Sequence, residues 1–400
     1  MADFTLIELA ERPRVRLPGR SESSVFAFLR RLDWVLAVAT IGLVGYGLWV
    51  VAGITRFDVP GDESYYVTRQ AIAVGIGLVG LVAAAVIPLD FARRQWRLVY
   101  GVTLALMILV FFLAETIRGS KRWIDLGFFQ FQPSELGKVL FVVAIAGFLV
   151  ERAGRLQRWR TIMQAIGLGL GPILLVFLQP DLGTALVYSA ALFALLFFVG
   201  VRWRKLLTLV GVGLLAIVAV LWLLPAAGVG VLKPYQTERI TGLFDRDRDP
   251  GGLNWNANQS ITAVGSGELT GRGVLDASQT RLDYLPEHAT DFAFASLAEQ
   301  RGFVGSAILL LLYLLVVWRG LRVITVAGDL YSAIVAGALV FAFVFQVFVN
   351  VGMTMGVAPV TGIPLPFVTV GGSSLVTSLV LIGVLQGIHA RGLLSGRSPA

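Results

Sequence analysis

The chain has 400 residues, 56% of them hydrophobic and only 14% charged, against about 25% charged in a soluble domain, so most side chains must face lipid or other helices and a soluble globular fold is excluded. It has no cysteine, and His288 and His389 are its only histidines, which removes disulfides, thiolate chemistry and a histidine-rich zinc or iron centre. The formal charge of +8 is dispersed between apolar runs, so it reads as membrane topology rather than as a surface for nucleic acid.

Residues 1–32 are polar and arginine-rich and predict a basic cytoplasmic tail, within which Val25–Leu32 is either more tail or a short amphipathic interfacial helix. The first apolar run is too long for the h-region of a cleavable signal. Runs near the ~20-residue spanning length follow at 33–53, 68–88, 97–114, 135–151, 161–178, 184–201, 205–225, 302–318, 329–351 and 371–390. Basic residues fall on every second loop: Arg30 and Arg31, Arg93 to Arg97, Arg152 to Arg160, Arg202 to Lys205, Arg319 and Arg322, Arg391 and Arg397. The expected fold is therefore an all-α integral membrane protein of about ten transmembrane helices with both termini cytoplasmic. One membrane unit covers 33–393, with a cytoplasmic tail at 394–400 and a large extracellular loop, about 226–290, between helices seven and eight. No internal repeat is visible, which does not favour an inverted-repeat transporter.

Ionisable groups within spans are costly and default to functional hypotheses. In chain order, Lys121-Arg122-Trp123 place cations and an aromatic at the interface before span four. Glu135 and Lys138 then share one helix face behind Pro133, either as a site or as a self-neutralising pair. In Gln179-Pro180-Asp181-Leu182-Gly183-Thr184, Pro180 and Gly183 interrupt the helix and Asp181 can cap the next one. The long loop carries Lys233, Arg239 and Arg272 among others, which suit an anionic ligand or pair with the loop's own acids. Leu285-Pro286-Glu287 leads into Thr290-Asp291, where the aspartate is either a helix cap or a general base whose partial desolvation raises its affinity for a proton. Glu299, eight residues on, lies roughly on the same face. The Pro/Gly-rich stretch 359–374 is non-helical backbone that must be buried or line a cavity, and its Gly371-Gly372-Ser373-Ser374 can offer N–H groups to an anion at a helix start.

Taken together these motifs resemble the SEDS family (shape, elongation, division and sporulation), which includes RodA, FtsW and SpoVE. The resemblance covers about residues 33–393 and rests on Arg122-Trp-Ile-Asp-Leu-Gly127 with Gln132-Pro-Ser-Glu-Leu-Gly-Lys138, Gln179-Pro-Asp-Leu-Gly-Thr184, Tyr235-Gln-x-x-Arg-Ile240, Asp249-Pro250 and Gln259-Ser260. It continues through Gly265-Ser-Gly-Glu-Leu-Thr-Gly-Arg-Gly273, Leu285-Pro-Glu287 with Thr290-Asp291-Phe292, Asn350-x-Gly-Met353, and Gly362-x-Pro-Leu-Pro366 with Gly371-Gly-Ser-Ser374. Gly265–Gly271, Gln279-Thr-x-Leu282 and Gly362–Pro366 look more like RodA than FtsW. Two positions depart from the family pattern. The histidine usual before Thr-Asp is displaced to His288, with Ala289 in its slot, so no histidine receives a catalytic role. The usual Ser-Tyr before Gly-Gly-Ser-Ser is Thr369-Val370, so no contact by that tyrosine is carried over.

The resemblance implies a peptidoglycan glycosyltransferase of the bacterial cytoplasmic membrane that polymerises lipid II on the outer face, for cell elongation and rod shape. It implies as partners lipid II, the nascent glycan strand, membrane lipid and a class B penicillin-binding protein. Asp291 matches the family's catalytic aspartate. Arg122, Lys138, Arg239 and Arg272 are candidates for the leaving pyrophosphate, and Lys233, Glu135, Asp181, Gln259, Ser260, Glu299, Ser373 and Ser374 complete the candidate substrate site. A divalent cation, Mg2+ or Mn2+, on Glu135 or Asp181 would be another source of positive charge, though no ligand spacing specifies one. The rival reading is a flippase or transporter of the lipid-linked precursor, which needs polar residues through the full depth of the bilayer.

Overall fold

The computed structural model describes residues 30–114, 122–127, 129–223, 225 and 253–395. Residues 1–29 of the expected 1–32 tail, 226–252 of the expected extracellular loop with Lys233 and Arg239, and 396–400 of the expected C-terminal tail lie outside the described residues. Four helices open the described part of the chain: α1 Trp34–Ile54, α2 Tyr65–Val86, the short α3 Leu89–Arg94 and α4 Trp96–Leu113. A two-stranded antiparallel ribbon, β1 Ile124–Asp125 with β2 Gln130–Phe131, leads into α5 Pro133–Glu151. Then follow α6 Trp159–Leu178, α7 Leu182–Phe198, and α8 Trp203–Val218 continued by a π turn over Ala219–Leu223. The later half contains α9 Leu253–Ser266, the one-turn helices α10 Gly273–Asp276 and α11 Ser278–Arg281, then α12 Ala293–Val326, α13 Leu330–Thr354 and α14 Gly372–Ser395.

Eight of these helices are long and apolar enough to cross a membrane, and α7, at 17 residues, is a shorter apolar helix. So many long apolar helices make the chain a multi-pass membrane protein. Their starts follow local chemistry. Asp33 caps α1 by accepting from the Leu36 N–H, Asp329 caps α13 through Ser332, and Pro133 occupies the first turn of α5, where a missing N–H costs nothing. In α5, α13 and α14 the spanning window is 83%, 72% and 89% buried, against 22% in α2 and α4. Helices apolar on every side and buried throughout form the centre of a bundle, and the outer helices present their apolar faces to lipid. Glycines let the outer ones approach: Gly77 of α2 leaves room only for Leu379 and Val376 of α14, and Gly383 of α14 fits against the Leu81 backbone. Close backbone approach of this kind is how helices associate where lipid removes the hydrophobic drive.

Two elements differ from the sequence reading. The eighth run, expected at 302–318, is a helix over 293–326 broken by non-helical backbone at Gly302. Its polar first part, with Glu299 and Gln300, is buried rather than solvated, and Arg319 continues the helix because Asp33 neutralises it at 2.6 Å. The N–H groups freed by the Gly302 kink are taken by the preceding loop, with Phe303 N bonding Glu268 O at 2.8 Å and Val304 N bonding Leu269 O at 3.0 Å. Gly183, expected to break the chain, instead lies in the first turn of α7, and its missing side chain admits the Thr361 carbonyl and Ile363.

Candidate active site

The carboxylate of Asp291 stands on the face of the bundle where α5, α7, α12 and α14 begin and α1 and α13 end. Its turn is tightly specified. The N–H groups of Thr290 and Phe292 both bond the Glu287 carbonyl at 3.1 Å, and Glu287 holds a φ of 59°, a region that L residues rarely adopt. The Glu287 carboxylate accepts the Thr290 hydroxyl at 2.8 Å. Phe292, the N-cap residue of α12, is buried and anchors the turn against Leu285, Ala263 and Ala295.

Two other segments, α13 and the stretch before α14, fix this turn from outside. Asn350 of α13 donates its amide to the Asp291 carbonyl at 3.1 Å and to the Ile363 carbonyl at 2.7 Å. Thr369 donates to the Thr290 carbonyl at 3.0 Å and accepts from the Leu365 N–H at 2.8 Å. Val370 N–H bonds the Ala289 carbonyl at 2.9 Å. Gly362, with φ 71°, lies beneath the side chain, and a Cβ there would come within 3.3 Å of Asp291 Oδ2. The non-helical stretch before α14 is thus a buried cradle for the aspartate, which is itself half-buried. A fixed carboxylate with partial access to solvent is suited to accept a proton from a bound hydroxyl.

The cradle continues into the other candidate residues. Gly183 packs on its Thr361–Ile363 backbone. Next to it, Asp181 caps α7 through the Thr184 N–H and hydroxyl at 3.0 Å each and accepts from Gln132 at 3.1 Å. Arg122 lies 3.8 Å from Asp181 and donates to the carbonyls of Gln179 and Pro180. Ser373 donates to the Gln130 carbonyl at 2.7 Å and accepts from the Gln132 N–H at 2.8 Å, which ties the β ribbon to α14. Among the described residues Ser374 Oγ and Asn350 Oδ1 are buried acceptors without a hydrogen-bond partner. Glu135 and Lys138 form a buried pair at 2.8 Å that lines a small cavity between α5, α7, α13 and α14, together with Gln346, Thr377 and Ser378.

The remaining candidates serve the long segment. Glu299 is fully buried and accepts from the N–H groups of Gln279 and Thr280 and the Thr280 hydroxyl at 2.7 to 2.9 Å, so it fixes α11 rather than facing the aspartate. Ser260 donates to the Thr354 carbonyl at 2.8 Å, Gln259 beside it is half-buried, and Arg272 is exposed with its Nε on the Ser266 carbonyl. No group of three or more His, Asp or Glu residues able to hold a metal occurs among the described residues. Glu135 and Asp181 each already face a cation, Lys138 at 2.8 Å and Arg122 at 3.8 Å, and so do not assemble into a ligand set.

The family model described as "Cell cycle protein", for FtsW, RodA and SpoVE, matches residues 30–392. The chain belongs to this family. It is 34% identical to the peptidoglycan glycosyltransferase MrdB of Escherichia coli K12 over 359 residues, 90% of this chain and 95% of that one. A chain from the structure titled "Structural coordination of polymerization and crosslinking by a peptidoglycan synthase complex" superposes with a TM-score of 0.75 at 31% identity, covering 90% of this chain and 97% of that one. Thermus thermophilus RodA superposes with a TM-score of 0.64 at 27% identity over 90% of this chain and 96% of its own. In this SEDS chain the sequence motifs contained Asn350, Gly362 and Thr369 without indicating their common task. The signal was present in Asn350 and Gly362, a buried amide and a left-handed glycine, but their convergence on Asp291 needs the folded chain.

Proposed function

We propose that this chain is a peptidoglycan glycosyltransferase that polymerises lipid II at the outer face of the bacterial cytoplasmic membrane. The face bearing Asp291 is then external, and the face with Arg93, Arg152 and Arg319 cytoplasmic. Asp291 takes the proton of the sugar 4-hydroxyl of the acceptor lipid II. That oxygen bonds to the anomeric carbon at the lipid-linked end of the growing strand as the bond to phosphate breaks, and undecaprenyl pyrophosphate leaves with the electron pair. An α-linked donor and a β-linked product make this one inverting displacement, which needs a base and no covalent enzyme intermediate. The prenyl chains remain in the hydrocarbon while the sugars reach the rim of the bundle.

The observation that carries this reading is the half-buried Asp291 carboxylate, set over Gly362 by hydrogen bonds from Asn350 and Thr369 to its own turn. Exposed Arg272 is a described cation free of an ion pair with which to meet the leaving pyrophosphate, and Lys233 and Arg239 would act with it. Arg122 and Lys138 are committed to acceptors of the chain itself. The RodA-like motifs favour a role in elongation, with a class B penicillin-binding protein crosslinking the strands. A transport path for the precursor would need polar groups open through both halves of the bilayer. On the opposite face Asp33 is closed in by Arg319 at 2.6 Å, with its backbone bonded to Gln386.

The test is purified protein in liposomes with labelled lipid II, scored for glycan polymer. A positioned general base contributes about 10²- to 10⁴-fold, so Asp291→Asn should lose that much or more while keeping its thermal stability. Normal turnover by the well-folded variant would end the proposal, and lipid scrambling without polymer would establish the transporter.

A further inference from the structure

One ionisable pair near the site has no part in the reaction just described. His288 Nε2 lies 3.0 and 3.2 Å from the two carboxylate oxygens of Asp58, in the loop that follows α1. The two side chains are only 11% and 19% exposed. Asp58 is 230 residues away in sequence, so the pair links two elements that nothing in the sequence joins.

We propose that the Asp58–His288 ion pair is a positioning latch for Asp291, which holds the catalytic turn against the loop after α1 and loosens when His288 loses its proton. This rests on the polymerase reading. Ala289 and Thr290, the two residues between His288 and Asp291, are pinned on their far side to Val370 and Thr369 by neutral hydrogen bonds. The near side of the turn is held by the imidazole on Asp58 and by the Ser296 hydroxyl, which donates to the His288 carbonyl at 3.3 Å. A rotation of His288 away from Asp58 would therefore be transmitted over two residues to the carboxylate, against a cradle that does not titrate.

The charged groups around the ring favour its protonated form. Asp58 faces Nε2, and Asp283, from the turn after α11, lies 3.7 Å from Nδ1. Arg56 of the Asp58 loop turns instead to Glu63 at 3.0 Å, and the Arg281 guanidinium lies over the Phe57 ring. Glu287, adjacent in the chain, accepts the Thr290 hydroxyl. Burial pulls the His288 pKa down, but the hydrogen bond and charge of Asp58 and the charge of Asp283 outweigh it and the pKa is raised from the ordinary 6.5. A raised histidine pKa contributes stability that is complete below the unfolded value and is lost as pH rises through the folded one. The latch is closed in mildly acidic conditions and opens on the alkaline side of 6.5.

The experiment uses the full chain in liposomes from about pH 5.5 to 9, the range in which histidine titrates. Polymer formation from lipid II is measured beside hydrogen exchange of the segment 285–292, for wild type, Asp58→Asn and His288→Lys. Wild type should lose polymerisation and exchange protection together on one alkaline limb. Asp58→Asn should move both midpoints to lower pH by about one pH unit or more, since a neighbouring charge contributes on that order. His288→Lys, cationic throughout this range, should remove the limb. Equal exchange profiles in wild type and Asp58→Asn would overturn the latch. A shift in exchange with no shift in the rate limb would make the pair a local fold element and overturn its positioning role. If wild type makes no polymer at any pH, the polymerase reading fails, and with it the catalytic role of the latch, while the exchange data still report whether the turn is held by this pair.

Discussion

Lys138→Met replaces the cation of a pair whose side chains are 9% and 2% exposed and whose charged atoms are 2.8 Å apart. The substitution keeps length and apolar bulk and leaves the Glu135 carboxylate among Val139, Val142, Leu339 and Phe343, with Gln346, Thr377 and Ser378 as the nearby polar groups lining the cavity. Breaking a buried ion pair by removing one partner costs about 3–5 kcal/mol, whereas replacing both charges by neutral groups of similar size is often close to neutral. At roughly 1.4 kcal/mol per factor of ten, Lys138→Met should lower the folding ratio by about 10²- to 10³-fold or more. Glu135→Gln with Lys138→Met should recover most of that loss. Denaturant unfolding in mixed micelles, followed by tryptophan fluorescence of the four proteins of the cycle, gives the coupling directly. A single variant as stable as wild type, or a double variant whose loss is the sum of the singles, would refute the reasoning. The same proteins distinguish a structural pair from a substrate contact, because a stable double variant that polymerises lipid II normally has no need of either charge in the reaction.

Two further outcomes follow from the packing of the site. Thr369→Val removes a hydroxyl that serves both the Thr290 carbonyl and the Leu365 N–H; leaving such groups unsatisfied costs about 1–3 kcal/mol, and polymerisation should fall more steeply than thermal stability does. Gly267→Ala puts a Cβ against the Ala298 carbonyl, a backbone atom that cannot give way, so it should destabilise by about 1–3 kcal/mol and raise hydrogen exchange across 266–272, where the loop satisfies the Gly302 kink.

Composition and the alternation of basic loops determined the class of this protein. With so few charges there is no way to dissolve the chain in water, and the ~20-residue hydrocarbon thickness turns apolar runs directly into helices. The nine runs other than the eighth begin and end within a few residues of the helices, because caps such as Asp33 and Pro133 act through contacts one turn away. The extent of span eight is not visible in its own sequence because its length is decided at a distance. Arg319 belongs inside a helix only when Asp33, 286 residues away, neutralises it, and a kink at Gly302 is tolerable only when Glu268 and Leu269 offer their carbonyls. Asp291 could be picked out from its neighbours in sequence, whereas Asn350 joins it from α13 and Gly362 and Thr369 from the stretch before α14. Side-chain chemistry against lipid and local capping are properties of short stretches and can be read from them. Which carbonyl meets which amide across the bundle depends on the packing of all the helices at once, and that was settled only by the tertiary structure.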